Sequence, residues 1–396
     1  MKYKHAILHH SYLWRVGFIL SMVFVFISAS FARERGPRVE VVCPSPPTPV
    51  TIAQNKVLVY ELHVTNFDAV PLTLKRVSVF GARDNAVPLT TLEEKEVSAA
   101  MIRVGSPMMM ANSSKADDQD TRTISPGGRN VLFVWIELPR DRPVPSNLIH
   151  QLVFSSTPAG TDKPSDTTLD DFVVPVNQDQ VPILSPPFKG GIWLAGDGAA
   201  NDSNHRRSIF AIDGRIYSPE RFAIDWVKIG SNGDTRHDGS TKNENWWGWG
   251  EPILAVADGE ITEVVDEFSD NTPRVLPPVT LDNIAGNHVI LKIAENRFVT
   301  YAHLQKGSIK VRRGARVHRG DVLALLGNSG NSTGSHLHMQ LTDRDSVLQS
   351  QGIPFVFAAF TYLGPGADYP EKQVSTPWTN SLPPGNGVLS FEAVNK

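Results

Sequence analysis

The sequence predicts a mainly β protein built from two successive modules, and three observations carry this prediction. The chain has 396 residues, which is enough for two domains of ordinary size. Its 30 glycines and 29 prolines favour frequent turns over long helices. Short runs in which apolar and polar residues alternate recur along most of the chain, as in half-buried strands. We therefore predict an N-terminal β-sandwich followed by a second strand-rich module.

Composition narrows the function classes. The chain is 41% hydrophobic and 20% charged, with a formal net charge of −3. No basic stripe or arginine-rich segment accompanies that charge, so nucleic acid is not an expected partner. The single cysteine, Cys43, excludes an internal disulfide and any cysteine-based zinc site.

The N-terminus has the pattern of an export signal, predicted over residues 1–32. Three basic residues precede the apolar run 16–27, and the small residues Ser30 and Ala32 suit cleavage after Ala32. The alternative is an uncleaved membrane anchor, for which the run is short. We therefore expect a secreted protein, located in the periplasm or at the cell surface.

Residues 37–180 predict the Ig-like β-sandwich. The runs with period-two apolar spacing are 56–65, 72–80, 130–138 and 150–154. Such spacing, with β-branched and aromatic residues, is typical of a sandwich. We find no catalytic constellation here, which favours a spacer or binding domain. A proline-bounded linker, 181–188, follows.

The second module is predicted over residues 189–364. Its strand-like runs are 221–229, 252–265, 287–293, 297–304 and 322–327. After it, residues 365–396 are rich in proline and glycine and show little periodicity. We expect this C-terminal tail to wrap the surface or to be disordered.

A glycine-rich turn at 327–335 leads into a strand that carries His336 and His338. Side chains alternate across a strand, so the two imidazoles share a face, with Cα atoms roughly 6.6 Å apart. This spacing allows one histidine to hold a metal while the other works beside it. The alternative is a partly buried, hydrogen-bonded pair without a metal.

Asp225 stands in an otherwise apolar strand, between Ile224 and Trp226. A carboxylate in such a run is costly to bury unless a partner satisfies it. Asp225 is therefore either a metal ligand or the partner of an arginine.

Four blocks resemble the lysostaphin/LytM-type zinc metallopeptidases, in the family's order. They are 250–259, 301–304, 314–323 and 327–338. The resemblance covers roughly residues 225–343, within a domain core of 221–345. It implies a curved antiparallel β-sheet, one Zn²⁺ ion, and hydrolysis of peptide cross-links in bacterial peptidoglycan.

The resemblance also implies roles for individual residues. Asp225 and His338 match two metal ligands of the family, whereas His303 and His336 match the catalytic pair beside the metal. The remaining ligand is a histidine four residues before the aspartate, where this chain has Arg221. A guanidinium has no lone pair to give and cannot ligate zinc.

Two interpretations of this departure stay open. In one, another histidine replaces the missing ligand, with His205 the first candidate and His237 the second. In the other, the domain holds no metal and regulates a cell-wall hydrolase partner, while Arg221 pairs with a carboxylate such as Asp225. Retention of three family histidines favours the first interpretation, an exported zinc metalloendopeptidase whose substrate is a peptidoglycan peptide.

Overall fold

The computed structural model describes residues 36–81, 87–105, 120–139, 142–239 and 241–391. The predicted signal peptide, 1–32, lies outside these residues. Within the described ranges, no helix is long and apolar enough to cross a membrane.

Among the described residues, the N-terminal part contains strands of 2 to 12 residues and one short helix. They are β1 (Val39–Val42), β2 (Val50–Ile52), β3 (Asn55–Asn66), β4 (Leu72–Phe80), β5 (Thr90–Leu92), α1 (Glu94–Ala100), β6 (Met101–Arg103), β7 (Thr123–Ile124), β8 (Arg129–Leu138), β9 (Asn147–Ser156) and β10 (Ser165–Pro175).

These strands form two sheets on one apolar core. One sheet has the order β1-β3-β8-β6, with β2 on β3, and the other has the order β10-β9-β4-β5, with β7 on β4. Buried side chains from both sheets form one cluster that includes Tyr60, Leu74, Val134 and Phe154. Two sheets on a common core are a sandwich, as the alternating runs predicted; the Ig-like topology stays a prediction.

The C-terminal part is also mainly β. Its elements are β11 (Ile183–Leu184), β12 (Ile192–Gly196), α2 (Asn204–Arg207), β13 (Phe210–Ile212), β14 (Arg215–Tyr217), β15 (Ile224–Ile229), β16 (Pro252–Leu254), β17 (Gly259–Val265), β18 (His288–Ala294), β19 (Arg297–Ala302), β20 (Arg316–Val317), β21 (Val322–Leu325), β22 (Leu337–Thr342), β23 (Val356–Pro365), β24 (Thr376–Ser381) and β25 (Gly387–Ser390), with 3-10 turns at Asn243–Asn245 and Gly366–Asp368.

Eleven of the described strands form one sheet, which positions the candidate site. Its order is β11-β23-β25-β12-β15-β22-β19-β18-β17-β20, with β24 on β23. Apart from the short parallel pair β11–β23, its neighbours are antiparallel. The prediction of an antiparallel sheet is confirmed. Strands β15, β22 and β19 lie side by side, so residues near their ends meet.

The predicted linker and the predicted C-terminal tail both contribute strands to this sheet. Within the predicted linker 181–188, β11 pairs with β23, and Phe188 stacks on Trp193 at 3.4 Å between ring centroids. The expectation of a surface or disordered tail at 365–396 is wrong as far as residue 391, because β24 and β25 are paired in the sheet. Buried apolar residues such as Leu389 hold β25 there, and its short length left no readable period.

The two modules share a buried boundary, and β3 lies in it. On one face of β3, Leu58 and Tyr60 belong to the sandwich core. On the other face, Val57 and Val59 join the cluster formed by the large sheet. Because side chains alternate, Glu61 continues this second face and points toward the C-terminal module. The sandwich is therefore packed against the second module, which the expectation of a spacer did not include.

Candidate metal centre

Two neighbouring strands bring the central carboxylate and the second histidine of His-x-His together. Asp225 on β15 lies directly opposite His338 on β22 in the antiparallel register. The Nδ1 atom of His338 lies 3.0 Å from Oδ1 of Asp225, and Nε2 of His336 lies 3.5 Å from the same oxygen. The side chains of His336 and His338, which were predicted to share a strand face, therefore both point toward Asp225.

His205 reaches the same carboxylate from outside the sheet. It belongs to α2, whose first turn is capped by the Ser203 hydroxyl, which accepts a hydrogen bond from the Arg206 amide at 3.1 Å. Its Nε2 atom lies 3.5 Å from Oδ1 of Asp225, and its ring centroid lies 4.8 Å from that of His338. One ligand atom each from His205, Asp225 and His338 lies within 4.8 Å of the others.

Hydrogen bonds on the far side of each ring fix how the two histidines face Asp225. Nδ1 of His205 donates to the Asp197 carbonyl at 3.0 Å, which leaves its Nε2 toward the carboxylate. Nε2 of His338 donates to Oε1 of Gln340 at 3.0 Å, and the Gln340 amide donates to the Val347 carbonyl at 2.8 Å. Such outer hydrogen bonds orient imidazoles that bind metals.

Charge at this point is concentrated on Asp225, whose side chain is 24% exposed. Burial opposes its ionisation, but electrostatic attraction to His205 and His336 and the hydrogen bond with His338 outweigh that cost and hold the pKa of Asp225 well below its usual range. Burial also opposes a charged His338, yet its hydrogen bond with Asp225 raises the pKa of His338 to about 9. The carboxylate thus favours a positive charge at the point where the three ligand atoms meet.

His303 lies beside this group with the opposite electrostatics. Burial, followed by the neighbouring His336 and His338, lowers its pKa well below the usual value, so the imidazole is neutral. Its Nδ1 donates to the Ser329 carbonyl at 2.8 Å, which leaves the Nε2 lone pair free. The ring centroid lies 4.7 Å from that of His336. A neutral imidazole held in this way presents an acceptor nitrogen toward the site.

The backbone at His303 is itself unusual. Its φ of 62° is left-handed, a conformation that costs a non-glycine residue energy and is often found at functional sites. The Ala285 carbonyl accepts its amide hydrogen bond at 3.0 Å. Opposite, Gly330 has a φ of +72° and lies so close to Gly286 that a Cβ atom would not fit. This packing holds the Ser329 carbonyl against His303.

His336 is also fixed by the glycine-rich turn. Its Nδ1 donates to the Gly334 carbonyl at 2.8 Å, and the Ser332 hydroxyl lies 3.2 Å from the same nitrogen. The indole of Trp246 covers Gly334 so closely that any side chain there would clash. The Nε2 atom of His336 therefore points toward Asp225.

The two remaining candidates lie elsewhere. Arg221 pairs with a carboxylate, as one interpretation expected, but the partner is Glu61 and not Asp225. Its Nε and Nη2 atoms donate to both carboxylate oxygens of Glu61 at 2.8 and 2.9 Å. It lies before β15, which begins at Ile224, and so its side chain does not follow the alternation of that strand. The ring of His237 packs on Trp247 at 3.6 Å between centroids and is not among the three grouped ligands.

Three residues of this region were missed in the sequence. Gln340 was within reach of sequence reasoning, because it follows His338 by two and shares its face. Glu61 also carried a signal, as a lone carboxylate in an apolar run. Ser329 contributes only its backbone carbonyl, so its side-chain identity carried no information.

Comparison with known proteins agrees with the four sequence blocks. Residues 247–350 match the model of peptidase family M23. Endolysin 2638A of Staphylococcus phage 2638A is 32% identical over 143 residues, which cover 31% of this chain and 29% of that protein. Peptidoglycan DD-endopeptidase ShyA of Vibrio cholerae is 42% identical over 60 residues, covering 15% of this chain and 14% of its own. The lysostaphin catalytic domain from Staphylococcus simulans is 19% identical, with a TM-score of 0.22, and the match covers 41% of this chain and 88% of that domain.

The match of residues 247–350 to family M23 confirms the resemblance that the four blocks predicted. His303, His336 and His338 fall inside the matched residues, whereas His205 and Asp225 precede them. The matched regions span less than a third of the length of these two curated relatives.

Proposed function

We propose that this protein is a zinc-dependent endopeptidase that hydrolyses peptide bonds in bacterial peptidoglycan. In this proposal His205, Asp225 and His338 hold the metal, while His303 and His336 act on the substrate. The observation that carries the proposal is the position of His205. It supplies the third ligand that Arg221 cannot, and it reaches the site from a different segment of the chain.

The ligand set suits zinc. Catalytic zinc commonly has three protein ligands of the histidine and carboxylate type and keeps one open position. Tetrahedral coordination with bonds of about 2.0 to 2.1 Å separates the ligand atoms by about 3.3 Å. The atoms of His205 and His338 lie 3.5 and 3.0 Å from Oδ1 of Asp225. Their far-side hydrogen bonds to Asp197 and Gln340 already point these atoms inward.

Each residue then has a distinct task. Zinc held by these residues would supply an activated water and polarise the carbonyl under attack. His303 is neutral and presents a free Nε2, so it takes up a proton during the attack. His336 donates from Nδ1 to the Gly334 carbonyl and presents Nε2 beside Asp225; with a proton on Nε2 as well, it would donate a hydrogen bond to negative charge that develops on the substrate.

The substrate class and the location are part of the same proposal. Two relatives that share this region are named as a peptidoglycan endopeptidase and a phage endolysin. Peptidoglycan lies outside the cytoplasmic membrane, so the activity requires export. The basic and apolar pattern of residues 1–32, with small residues before the expected cleavage point, supports secretion to the periplasm or cell surface.

The metal content of purified full-length chain tests the role of His205. We expect about one zinc per chain in the wild-type protein, and loss of most of it in a His205→Ala variant, because only two ligands remain. The measurement is elemental analysis after dialysis against a weak chelator. His237→Ala is the matched control, since His237 packs on Trp247 away from the ligand group, and it should keep its zinc.

The outcomes separate the interpretations. Full zinc in His205→Ala would remove His205 from the site, and zinc loss in His237→Ala alone would transfer the role to that residue. A wild-type chain that binds no zinc would favour a metal-free domain that regulates a cell-wall hydrolase. A zinc-loaded chain that releases no soluble fragments from any peptidoglycan preparation would contradict the proposed substrate.

A further inference from the structure

A buried cluster of three charges joins the sandwich to the segments that carry two of the proposed ligands. Glu61 on β3 lies between two guanidinium groups, those of Arg206 and Arg221. The side chains of Glu61, Arg206 and Arg221 are 1%, 1% and 3% exposed. Buried charges are tolerated only when they are paired and hydrogen-bonded, so the positions of these groups are tightly coupled.

Arg206 connects this cluster to the first ligand. It directly follows His205 in α2, and it donates to Oε1 of Glu61 and, at 2.7 Å, to the Tyr60 carbonyl. Its guanidinium also lies 4.8 Å from the centroid of the Phe133 ring. A helix of four residues is too short to be stable by itself. The position of His205 therefore depends on contacts such as these.

Arg221 connects the cluster to the second ligand. It lies four residues before Asp225 and donates to both oxygens of Glu61. It also donates to the Gly352 carbonyl and, at 3.0 Å, to Oε1 of Gln351. Glu61 is thus the common acceptor for arginines on the approach to β15 and within α2.

We infer that Glu61 is a positioning residue of the metal centre: the sandwich holds His205 against Asp225 through the Arg206–Glu61–Arg221 cluster. The inference rests on the proposed zinc site and adds a function for the N-terminal module. Arg221, which occupies the family's ligand position, anchors the site instead of binding the ion. The metal centre is consequently assembled from both modules, although the sandwich donates no ligand.

An Arg206→Met variant of the full-length chain is the direct test. It removes the link to His205 but leaves Glu61 paired with Arg221, so no carboxylate is stranded. Because α2 would lose contacts that place His205, we expect the zinc dissociation constant to rise by about tenfold to a hundredfold, the loss seen when a group that orients a metal ligand is removed. The constant is measured by competition with a chromophoric chelator, at a temperature where circular dichroism shows the variant folded.

Arg207→Met is the matched control on the same short helix. Arg207 donates to the Asn201 and Ala99 carbonyls, at 3.1 and 2.8 Å, and has no hydrogen bond to Glu61. Its substitution should leave zinc affinity near the wild-type value. A conservative Arg206→Lys variant, which keeps one donor for Glu61, should fall between wild type and Arg206→Met.

The results also separate this inference from the zinc proposal. Weak zinc binding in both His205→Ala and Arg206→Met, with normal binding in Arg207→Met, supports the positioning role. Normal affinity in Arg206→Met alongside weak binding in His205→Ala would overturn the role of the cluster and leave the zinc site standing. Equal losses in Arg206→Met and Arg207→Met would also overturn it, since the effect would then come from α2 in general.

Discussion

Asp225 and Glu61 are two carboxylates in apolar strands, and the structure gives them different surroundings. Asp225 has three histidines within 3.5 Å of one oxygen and is 24% exposed. Glu61 is shared by two arginines and is 1% exposed. Both satisfy the rule that a carboxylate in such a strand needs a partner.

The difference lies in what the partners are able to release. An imidazole gives up its proton near neutral pH and then offers a lone pair, so histidines around a carboxylate suit the metal site proposed for Asp225. A guanidinium stays protonated and has no lone pair, so arginines around a carboxylate form a fixed structural cluster. The chemistry of the partner, rather than the acid itself, therefore decides the function of each site.

The largest expected effect separates metal binding from catalysis at the Asp225 site. We expect a His303→Ala variant to lose about 10²- to 10⁴-fold in kcat, because a positioned general base contributes that much. Its zinc content should stay near the wild-type value, since His303 is not among the grouped ligands. The measurements are release of soluble peptidoglycan fragments and elemental analysis of the same preparation.

Tyr301→Phe provides a control on the same strand, β19. The Tyr301 hydroxyl is buried and accepts the Val256 amide at 2.9 Å, so it faces the core and not the substrate. Its removal should leave kcat nearly unchanged. Loss of zinc together with activity in His303→Ala would mean that His303 is a metal ligand, and its assignment as a catalytic residue beside the metal would be wrong.

The second prediction compares the two carboxylates directly by stability. Glu61→Gln leaves two buried guanidinium groups without their counter-ion, which costs about 3 to 5 kcal/mol in the free energy of unfolding. Asp225→Asn should cost less in the presence of a chelator, because Asp225 is partly exposed and an imidazole, unlike a guanidinium, has a neutral form that needs no counter-ion. Urea unfolding of the metal-free variants gives both numbers. Equal losses would mean that Asp225, too, is chiefly a structural ion-pair centre.

Sequence reasoning reached the parts of this molecule whose signals are local. The blocks around His303, His336 and His338 lie within short stretches, and alternation along a strand was enough to place the last two on one face. The strands of the sandwich were recognisable for the same reason. His205 was identified only as a substitute for a missing ligand, since nothing in its neighbourhood of polar residues specifies a metal.

Long-range contacts explain what the sequence did not reveal. Arg221 and Glu61 are separated by 160 positions, and only the packing of β3 against the second module brings them together. The run around Glu61 is buried on both faces, which is unusual for an antiparallel sheet with one face in water. In the sequence, the lone carboxylate among the apolar residues of this run was the available signal for a buried partner on another segment.

The smallest predicted effect is on the pH dependence of stability, which should differ between Glu61 and two buried histidines of the sandwich. Burial lowers the pKa of His63 and of His150 to about 4 in the folded chain, against an ordinary value of about 6.5. The Tyr60 hydroxyl donates to Nε2 of His150 at 2.6 Å, and Nδ1 donates to the Phe172 carbonyl at 3.0 Å, an arrangement that requires a neutral ring. Below pH 6.5 the unfolded chain therefore binds more protons than the folded chain.

The folded chain therefore loses stability as the pH falls below 6.5. Each histidine should cost up to about 1.4 kcal/mol of stability per pH unit as the pH falls from about 6.5 toward 4. Glu61 behaves differently: burial opposes its charge, but Arg206 and Arg221 lower its pKa to about 2. Its contribution is therefore complete above about pH 4.5 and is lost only as the pH falls toward 2.

Urea unfolding at pH 7 and pH 5 should show the loss in wild type and a shallower loss in His150→Gln, whose amide replaces both hydrogen bonds without titrating. An unchanged slope in His150→Gln would mean that the acid sensitivity arises elsewhere, and a Glu61 contribution that disappears before pH 4.5 would mean that the arginines do not hold its charge.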